Sequence, residues 1–466
     1  MKNAFSSLVL AVVLSLSCTS AEPHDELLVI TEVTLIDGTG GAARPGMTVV
    51  IDRDRIREIG ATASLSYPRS ARVIDGSGKY LIPGLWDMHV HLRDLEGTLP
   101  LFVVNGVTSV RDMGSDFEAT TAIRDQVAAG TLLGPRIKTS GRMLESTGWL
   151  DQYVALLREQ GFGEQTEPFL GTRISAGDSA ESVAVVESLA ASGVDFIKIR
   201  HAASKEAYLA IARAADQAGL QLVGHYLWIV SLTETADAGQ KSVEHNIYPG
   251  FNDQTDQEKA EIFDALILNG THLVPTLVAG RKETWPSEVA SAIVSDRDGA
   301  VDERNRYVSN AIRKSWQETL AMNAADEGRP SAGAIGHIVT QSNEFLREAH
   351  DAGVPMMAGT DAPTTAVYFG SSLHDELQLL VDELGMTAID ALRSASSVPA
   401  AFMGLDSQLG TIEAGKIADL VLLDANPLVN IANTREINTV IIGGRVIDGT
   451  ERSEILAEIA AAIAGR

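Results

Sequence analysis

Residues 187–200 read Glu-Ser-Leu-Ala-Ala-Ser-Gly-Val-Asp-Phe-Ile-Lys-Ile-Arg. A helical segment ends at Gly193, and an apolar strand begins within a few residues. Glycine tolerates the left-handed conformation that closes many helices, and a short run such as Phe196-Ile197 suits a strand buried on both faces of a parallel sheet. The same grammar recurs at Gly106, Gly219, Gly239, Gly270 and Gly353. Strands alternating with helices build βαβ units. Counted from Leu81, strands fall near Trp86, Val110, Ile137, Ile197, Val223, Val243, Val274 and Met356. Eight units in about 320 residues predict a (β/α)8 TIM barrel enlarged by insertions. A doubly wound open sheet is the alternative, and it would lack the ring of polar strand ends described below.

Outward from this repeat the grammar changes. Leu28-Val29-Ile30, Met47 to Ile51 and Ile56 to Ile59 are short β runs, with turn signals at Asp37-Gly38 and Asp75-Gly76. A second strand-rich stretch runs from Gly410 to Asp448 and holds Ala418 to Leu423 and Thr439 to Ile442. The two stretches are expected to pair into one small β-sandwich. The division that follows is a signal segment at 1–21, sandwich parts at 27–80 and 406–450, the barrel at 81–405, and a C-terminal helix at 451–466.

The first residues read as an export signal. Lys2 is a minimal positive start, and Leu8 to Leu16 is apolar but too short to span a bilayer. Thr19-Ser20-Ala21 offers small residues for cleavage. Cys18, the only cysteine, offers a lipidated N-terminus instead, although Ser15 stands where a bacterial lipoprotein signal usually has Leu. Both readings place the protein outside the cytoplasm, in the periplasm or lipid-anchored in the bacterial envelope, with no internal disulfide. The 466 residues carry 37 basic and 62 acidic side chains, a net charge of −25. No Lys/Arg cluster offers a footprint for a phosphate backbone, so nucleic acid is excluded as a partner. The expected partners are a small-molecule substrate and further copies of the chain in a homo-oligomer.

Pro83-Gly84-Leu85-Trp86-Asp87-Met88-His89-Val90-His91 carries the chemistry. Residues two apart on a strand share a face, so Asp87, His89 and His91 point the same way. Imidazoles bind zinc through a neutral nitrogen, and a carboxylate can orient them, a role for Asp87. Strand four places Phe196, Lys198 and Arg200 on one face, and an uncompensated Lys inside a barrel needs a partner or altered chemistry. Strand five ends in Gly224-His225, strand six in Glu244-His245, and strand eight in Gly359-Thr360-Asp361. Each polar residue closes an apolar run at its C-terminal end, where barrel enzymes build their sites.

This order, His89-x-His91, Lys198, His225, His245, Asp361, resembles the binuclear amidohydrolases. So does the frame Leu-Ile-Pro-Gly-Leu-Trp-Asp-Met-His-Val-His and the stretch Gly-Thr-Ile-Glu-Ala-Gly-Lys-Ile-Ala-Asp-Leu-Val from Gly410 to Val421. The likeness covers nearly everything after the signal segment and is greatest to the imidazolonepropionase-like and Xaa-Pro dipeptidase-related branch. It implies two divalent metal ions, zinc by expectation. His89, His91 and Asp361 would hold one, and His225 and His245 the other. Lys198 would bridge them as a carbamate formed with carbon dioxide. It implies hydrolysis of amide bonds in dipeptides or N-acyl amino acids by a bridging hydroxide, with Asp361 as the catalytic proton shuttle.

One segment departs from the pattern. Where the dipeptidase-like relatives carry a Gly-Gly-His stretch that contacts substrate, this chain has Glu145-Ser146-Thr147-Gly148-Trp149, so peptidase specificity does not carry over. Arg111, Arg142, Arg200, His201 and Tyr226 lie at or just past strand ends and are candidates to recognise a substrate carboxylate; each is equally suited to a structural salt bridge or hydrogen bond. His374 and Glu376 read as packing residues. A deaminase of the same superfamily would carry Glu three residues after the strand-five His, where this chain has Trp228. A lactonase, esterase or phosphotriesterase would use the same ligands. A metal- or solute-binding lipoprotein is the non-enzyme alternative, and it would not need Asp361.

Overall fold

The computed structural model describes residues 27–245 and 254–465. The signal segment expected at 1–21 lies outside them. Five strands come first: β1 (Leu28–Leu35), β2 (Arg44–Asp52), β3 (Arg55–Ala61), β4 (Arg72–Asp75) and β5 (Tyr80–Pro83). Nine follow: β6 (Leu85–Val90), β7 (Val107–Asp112), β8 (Arg136–Thr139), β9 (Met143–Ser146), β10 (Arg173–Ala176), β11 (Ile197–Ile199), β12 (Leu222–His225), β13 (Gln240–Glu244) and β14 (His272–Val274). Three close the chain: β15 (Leu420–Leu423), β16 (Ile437–Ile442) and β17 (Arg445–Ile447), before a helix over Gly449–Ala464.

The terminal segments meet in one eight-stranded sheet, in the order β17-β16-β15-β5-β1-β2-β3 with β4 against β1. The seam is antiparallel, with Leu420 opposite Pro83 and Leu423 opposite Tyr80. Apolar residues from both segments, among them Ile30, Leu35, Ile51, Leu420 and Leu422, share one buried cluster, so neither segment has a complete core without the other.

The middle of the chain forms two parallel sheets, β6-β7-β8 and β10-β9-β11-β12-β13-β14. The helices between them end as the glycine pattern predicts. The helix Ser179–Ser192 closes on Gly193 at φ 84°, and Asp256–Asn269 closes on Gly270 at φ 63°. Backbone bonds reach out from the three-stranded sheet on both sides. Asp195 N, just before β11, donates to Thr139 O of β8 at 2.9 Å, and Met88 N of β6 donates to Ala358 O at 3.0 Å. Trp86, Met88, Phe196, Val223, Val274 and Met357 pack together in the buried centre.

One expectation needs correction. The strand near Met356 is reduced to single bridges, Leu273 to Met356 and Val90 to Ala362. The chain turns there, with Asp361 at φ 61° and Pro363 lacking a donor. The chain carries on from β8 past Gly141 at φ 62° into β9, which pairs in parallel with both β10 and β11. The insertions after β8 and β14 face each other across a cavity of about 1020 Å³, with Tyr153 and Phe169 on one side and Ile312 and Met322 on the other. No helix among the described residues is long and apolar enough to cross a membrane.

Candidate metal centre

Strand ends bring the expected ligands to one place. His89 is fully buried, and its Nδ1 lies 2.8 Å from Glu244 Oε2; His91 Nδ1 lies 3.0 Å from the Gly114 carbonyl. Carboxylates and carbonyls only accept, so both Nδ1 atoms carry the hydrogen and both Nε2 atoms present lone pairs. Those Nε2 atoms stand 3.4 and 3.3 Å from the same atom, Asp361 Oδ1. Two lone pairs facing one anionic oxygen repel each other unless a cation lies among them. His245 joins the group, with ligand atoms of His89, His245 and Asp361 all within 4.8 Å of one another. The His225 ring is 4.6 Å from that of His245. His89 Nε2, His225 Nδ1 and Lys198 Nζ are all buried without a hydrogen-bond partner among the described residues. Orphaned buried polar atoms are rare in folded proteins. Three in one cluster, beside a carboxylate, fit a site that takes metal.

The backbone is strained to make this arrangement. His245 sits at φ 75° and Asp361 at φ 61°, left-handed values that cost a non-glycine residue about 1–3 kcal/mol. Local bonds hold them there. Asp361 N donates to His89 O at 2.7 Å, and Thr276 Oγ1 lies 3.0 Å from His245 Nδ1. Asp87 accepts from Thr360 Oγ1 at 2.6 Å and from the backbone N–H groups of Thr360 and His89. It fastens β6 to the turn that carries Asp361, and burial raises its carboxyl to about 7 against those bonds.

Burial dominates the electrostatics. It lowers His89 to about 3 and His245 to about 4, and drives His225 well below its ordinary range, with the Lys198 charge adding to each. These imidazoles are neutral, as ligands must be. Burial also lowers Lys198 to about 8, despite the opposing pull of Glu244 and Asp361. For Asp361, burial acts upward, but His245, His91 and His89 outweigh it and hold the carboxyl low. Asp195, a rival partner for Lys198, is taken by Lys138 at 2.8 Å and by Arg124 at 3.3 Å.

The structure separates the residues expected to contact substrate. Arg111 is fully buried beneath the site and bonds Met88 O, Ser242 Oγ and both oxygens of Glu244. It cannot reach a substrate; it anchors the carboxylate that orients His89, and Glu244 takes the role expected of Asp87. Arg142 lies exposed on the β8–β9 turn. Arg200 and His201 both bond Glu145, at 3.3 and 2.6 Å. Tyr226 packs against Trp228, which is 61% exposed. His374 sits far back, bonded to Thr434 and Asn105, while Glu376 accepts from Leu277 N and Val278 N at the start of a helix.

Glu244 and Arg173 went unrecognised in the sequence. The signal for Glu244 was indirect: two cations, Arg111 and Lys198, on buried strands demand an internal anion. Arg173 gave none, because its strand was not expected.

Known proteins resemble this chain in sequence and in fold. Over 104 residues, 22% of this chain, it is 32% identical to the adenine deaminase of Rubrobacter xylanophilus, covering 17% of that protein. Over 143 residues, 27% of this chain, it is 32% identical to the imidazolonepropionase of Geobacillus kaustophilus, covering 32% of it. The chain thus matches less than a third of the length of each of these relatives. A Bifidobacterium longum structure, given as a candidate prolidase, superposes over 93% of this chain and 99% of its own, with TM-score 0.69 and 25% identity. The amidohydrolase family model matches residues 80–447, from the first residue of β5 to the last of β17. The match takes in every ligand candidate and most of the strands that carry them, and the chain therefore belongs to the amidohydrolase family.

Proposed function

We propose that the protein is a metal-dependent hydrolase of carbon–nitrogen bonds, acting on small amides such as dipeptides or N-acyl amino acids. The observation that carries this reading is the convergence of the His89 and His91 lone pairs on Asp361 Oδ1, beside the orphaned nitrogens of His225 and Lys198. His89, His91 and Asp361 would hold one divalent ion and His225 with His245 a second; imidazole and carboxylate donors suit zinc. When bound, the ions supply an acidified water and a Lewis acid for the scissile carbonyl.

The side chains have matching tasks. Asp361, kept ionised, accepts a proton from the attacking water and returns it to the leaving nitrogen. Lys198 would bridge the ions as a carbamate: its neutral amine bonds to the carbon of carbon dioxide and releases a proton to solvent. A neutral amine is accessible because burial has already lowered the ammonium to about 8. Glu244, held by Arg111, keeps His89 in the tautomer that offers Nε2.

The same proposal takes the two parallel sheets as one (β/α)8 barrel, supported by the backbone bonds from β8 to the residue before β11 and from β6 to Ala358. It takes residues 27–80 and 406–450 as a flanking β domain. Export to the envelope through the segment at 1–21 belongs to the proposal on sequence grounds alone.

Metal analysis and a substrate panel test it together. The purified protein should hold about two divalent ions per chain, more than one tetrahedral site needs, and chelation should abolish amide hydrolysis. Esters or phosphotriesters turned over orders of magnitude faster than every amide would transfer the site to a different reaction class.

A further inference from the structure

The insertion after β8 builds a second arrangement beside the metal ligands. Glu145 of β9 is completely buried, and two guanidiniums and an imidazole converge on it: Arg173 Nε at 3.3 Å, Arg200 Nη1 at 3.3 Å and His201 Nδ1 at 2.6 Å. One carboxylate balances one guanidinium, so the cluster keeps surplus positive charge in a chain whose net charge is −25. Arg173 is fixed further by Phe169 O at 2.9 Å and Thr172 Oγ1 at 2.8 Å, both through Nη1. Its Nη2 has no bond among the described residues, and the residue lines the large cavity. Burial and the Arg200 charge draw Arg173 down to about 9, the mark of a cation short of counter-charge.

An aromatic shelf runs alongside. Trp149 stacks on His201 at 4.2 Å and on Tyr153 at 5.0 Å; Tyr153 meets Phe169 at 4.8 Å; the Arg173 guanidinium lies 3.5 Å over the Phe169 ring. Tyr153 and Phe169 line the cavity with Arg173. Leu92 and Pro363 line the cavity too, next in sequence to His91 and two residues past Asp361. Two of the acidic lining residues are engaged elsewhere. Asp116 caps a helix through Ala119 N, and Glu318 accepts from Gln165 with Lys314 at 3.7 Å.

We propose that this is a subsite for a carboxylate next to an aromatic side chain, with Arg173 taking the carboxylate and Tyr153 and Phe169 the ring. Guanidinium matches carboxylate in a charge-assisted fork, and a flat ring suits the face of the shelf. Resting on the amide-hydrolase reading, the inference narrows the substrate to an amide whose amine part is an aromatic amino acid, as in an N-acyl-phenylalanine or a dipeptide ending in Phe or Tyr.

The test is equilibrium binding to the metal-loaded protein, using 3-phenylpropanoate and its neutral counterpart 3-phenylpropanamide. Wild type should bind the acid roughly ten-fold or more tightly than the amide, the scale of a charge-assisted bond. Arg173→Gln should erase that preference while binding the amide as before, which also certifies its fold. Phe169→Ala should weaken both ligands together and leave the preference intact. Equal binding of acid and amide by wild type overturns the subsite. So does an acid preference untouched in Arg173→Gln, since the carboxylate would then sit on the metals. Hydrolysis is read separately: an amide panel without turnover, beside Arg173-dependent binding, would remove the amidase reading and leave the subsite supported.

Discussion

A single atom, Lys198 Nζ, carries more of the proposed chemistry than any other, because it is buried without a partner where three neutral imidazoles and Asp361 gather. Lys198→Ala deletes a ligand to both proposed ions at once, so most of the metal should be lost, as read by elemental analysis. Short carboxylic acids should restore part of the metal and rate. Lys198→Arg should not be rescued, because a guanidinium fills the site with permanent positive charge. Asp361→Asn should keep the fold and much of the metal but lose about 10²–10⁴-fold in kcat, the usual contribution of a proton shuttle; near-normal kcat in the metal-loaded variant would put the base elsewhere. These residues were legible because each is a polar residue set against an apolar run, Lys198 between Ile197 and Ile199 and Asp361 after Met356 to Ala358. Arg111 stayed open between a substrate contact and a structural salt bridge. An arginine in that position looks alike in sequence whether it reaches into the mouth or down to Glu244, and only the through-space pair decides.

Elements position these atoms through close contact. Gly224 of β12 has φ 145°, and a Cβ there would lie 2.0 Å from Ile199 O of β11, the strand that holds Lys198. Gly224→Ala should therefore push the two strands apart, at about 1–3 kcal/mol or more, and lower both the melting temperature and the metal content. The helix Ser371–Asp382 makes a second joint through Glu376, which accepts from two backbone N–H groups at the start of the helix Leu277–Glu283. Burial raises this carboxyl to about 8 in the fold. Its folded value lies above its unfolded value, so its stabilising contribution is complete below about 4.5 and is lost as the pH rises through 8. Denaturant midpoints measured at pH 5 and pH 8 should show a smaller drop in Glu376→Gln than in wild type. The glycine-ended helices were readable because their caps are local. The break between β8 and β9 and the broken strand at Met356 were not, since pairing partners decide both.

Across the whole molecule, the joint between the terminal sheet and the parallel sheets is polar as well as apolar. Arg136 of β8 pairs with Asp419, ahead of β15, at 2.8 Å, and Gly84 N donates to Asp419 O at 2.8 Å. A chain ending at Leu405 loses β15 to β17 and leaves β5 with an unpaired edge. It should be recovered insoluble or without metal, by size-exclusion chromatography and metal analysis. That the two terminal stretches meet was legible from their shared strand character. Their register, Leu420 opposite Pro83, was not, because nothing local specifies it.

The β5–β15 seam also sets a clock for biosynthesis. When β5 leaves the ribosome, its partner strand has yet to be made, and at roughly 5–20 residues per second the wait lasts tens of seconds. Throughout that interval the nascent polypeptide offers Leu81 and Ile82 on an open strand edge, the kind of surface on which neighbouring chains template one another. Slower initiation or cooler growth, by thinning the crowd of half-made chains, should raise the soluble yield more than any change in the finished protein's stability.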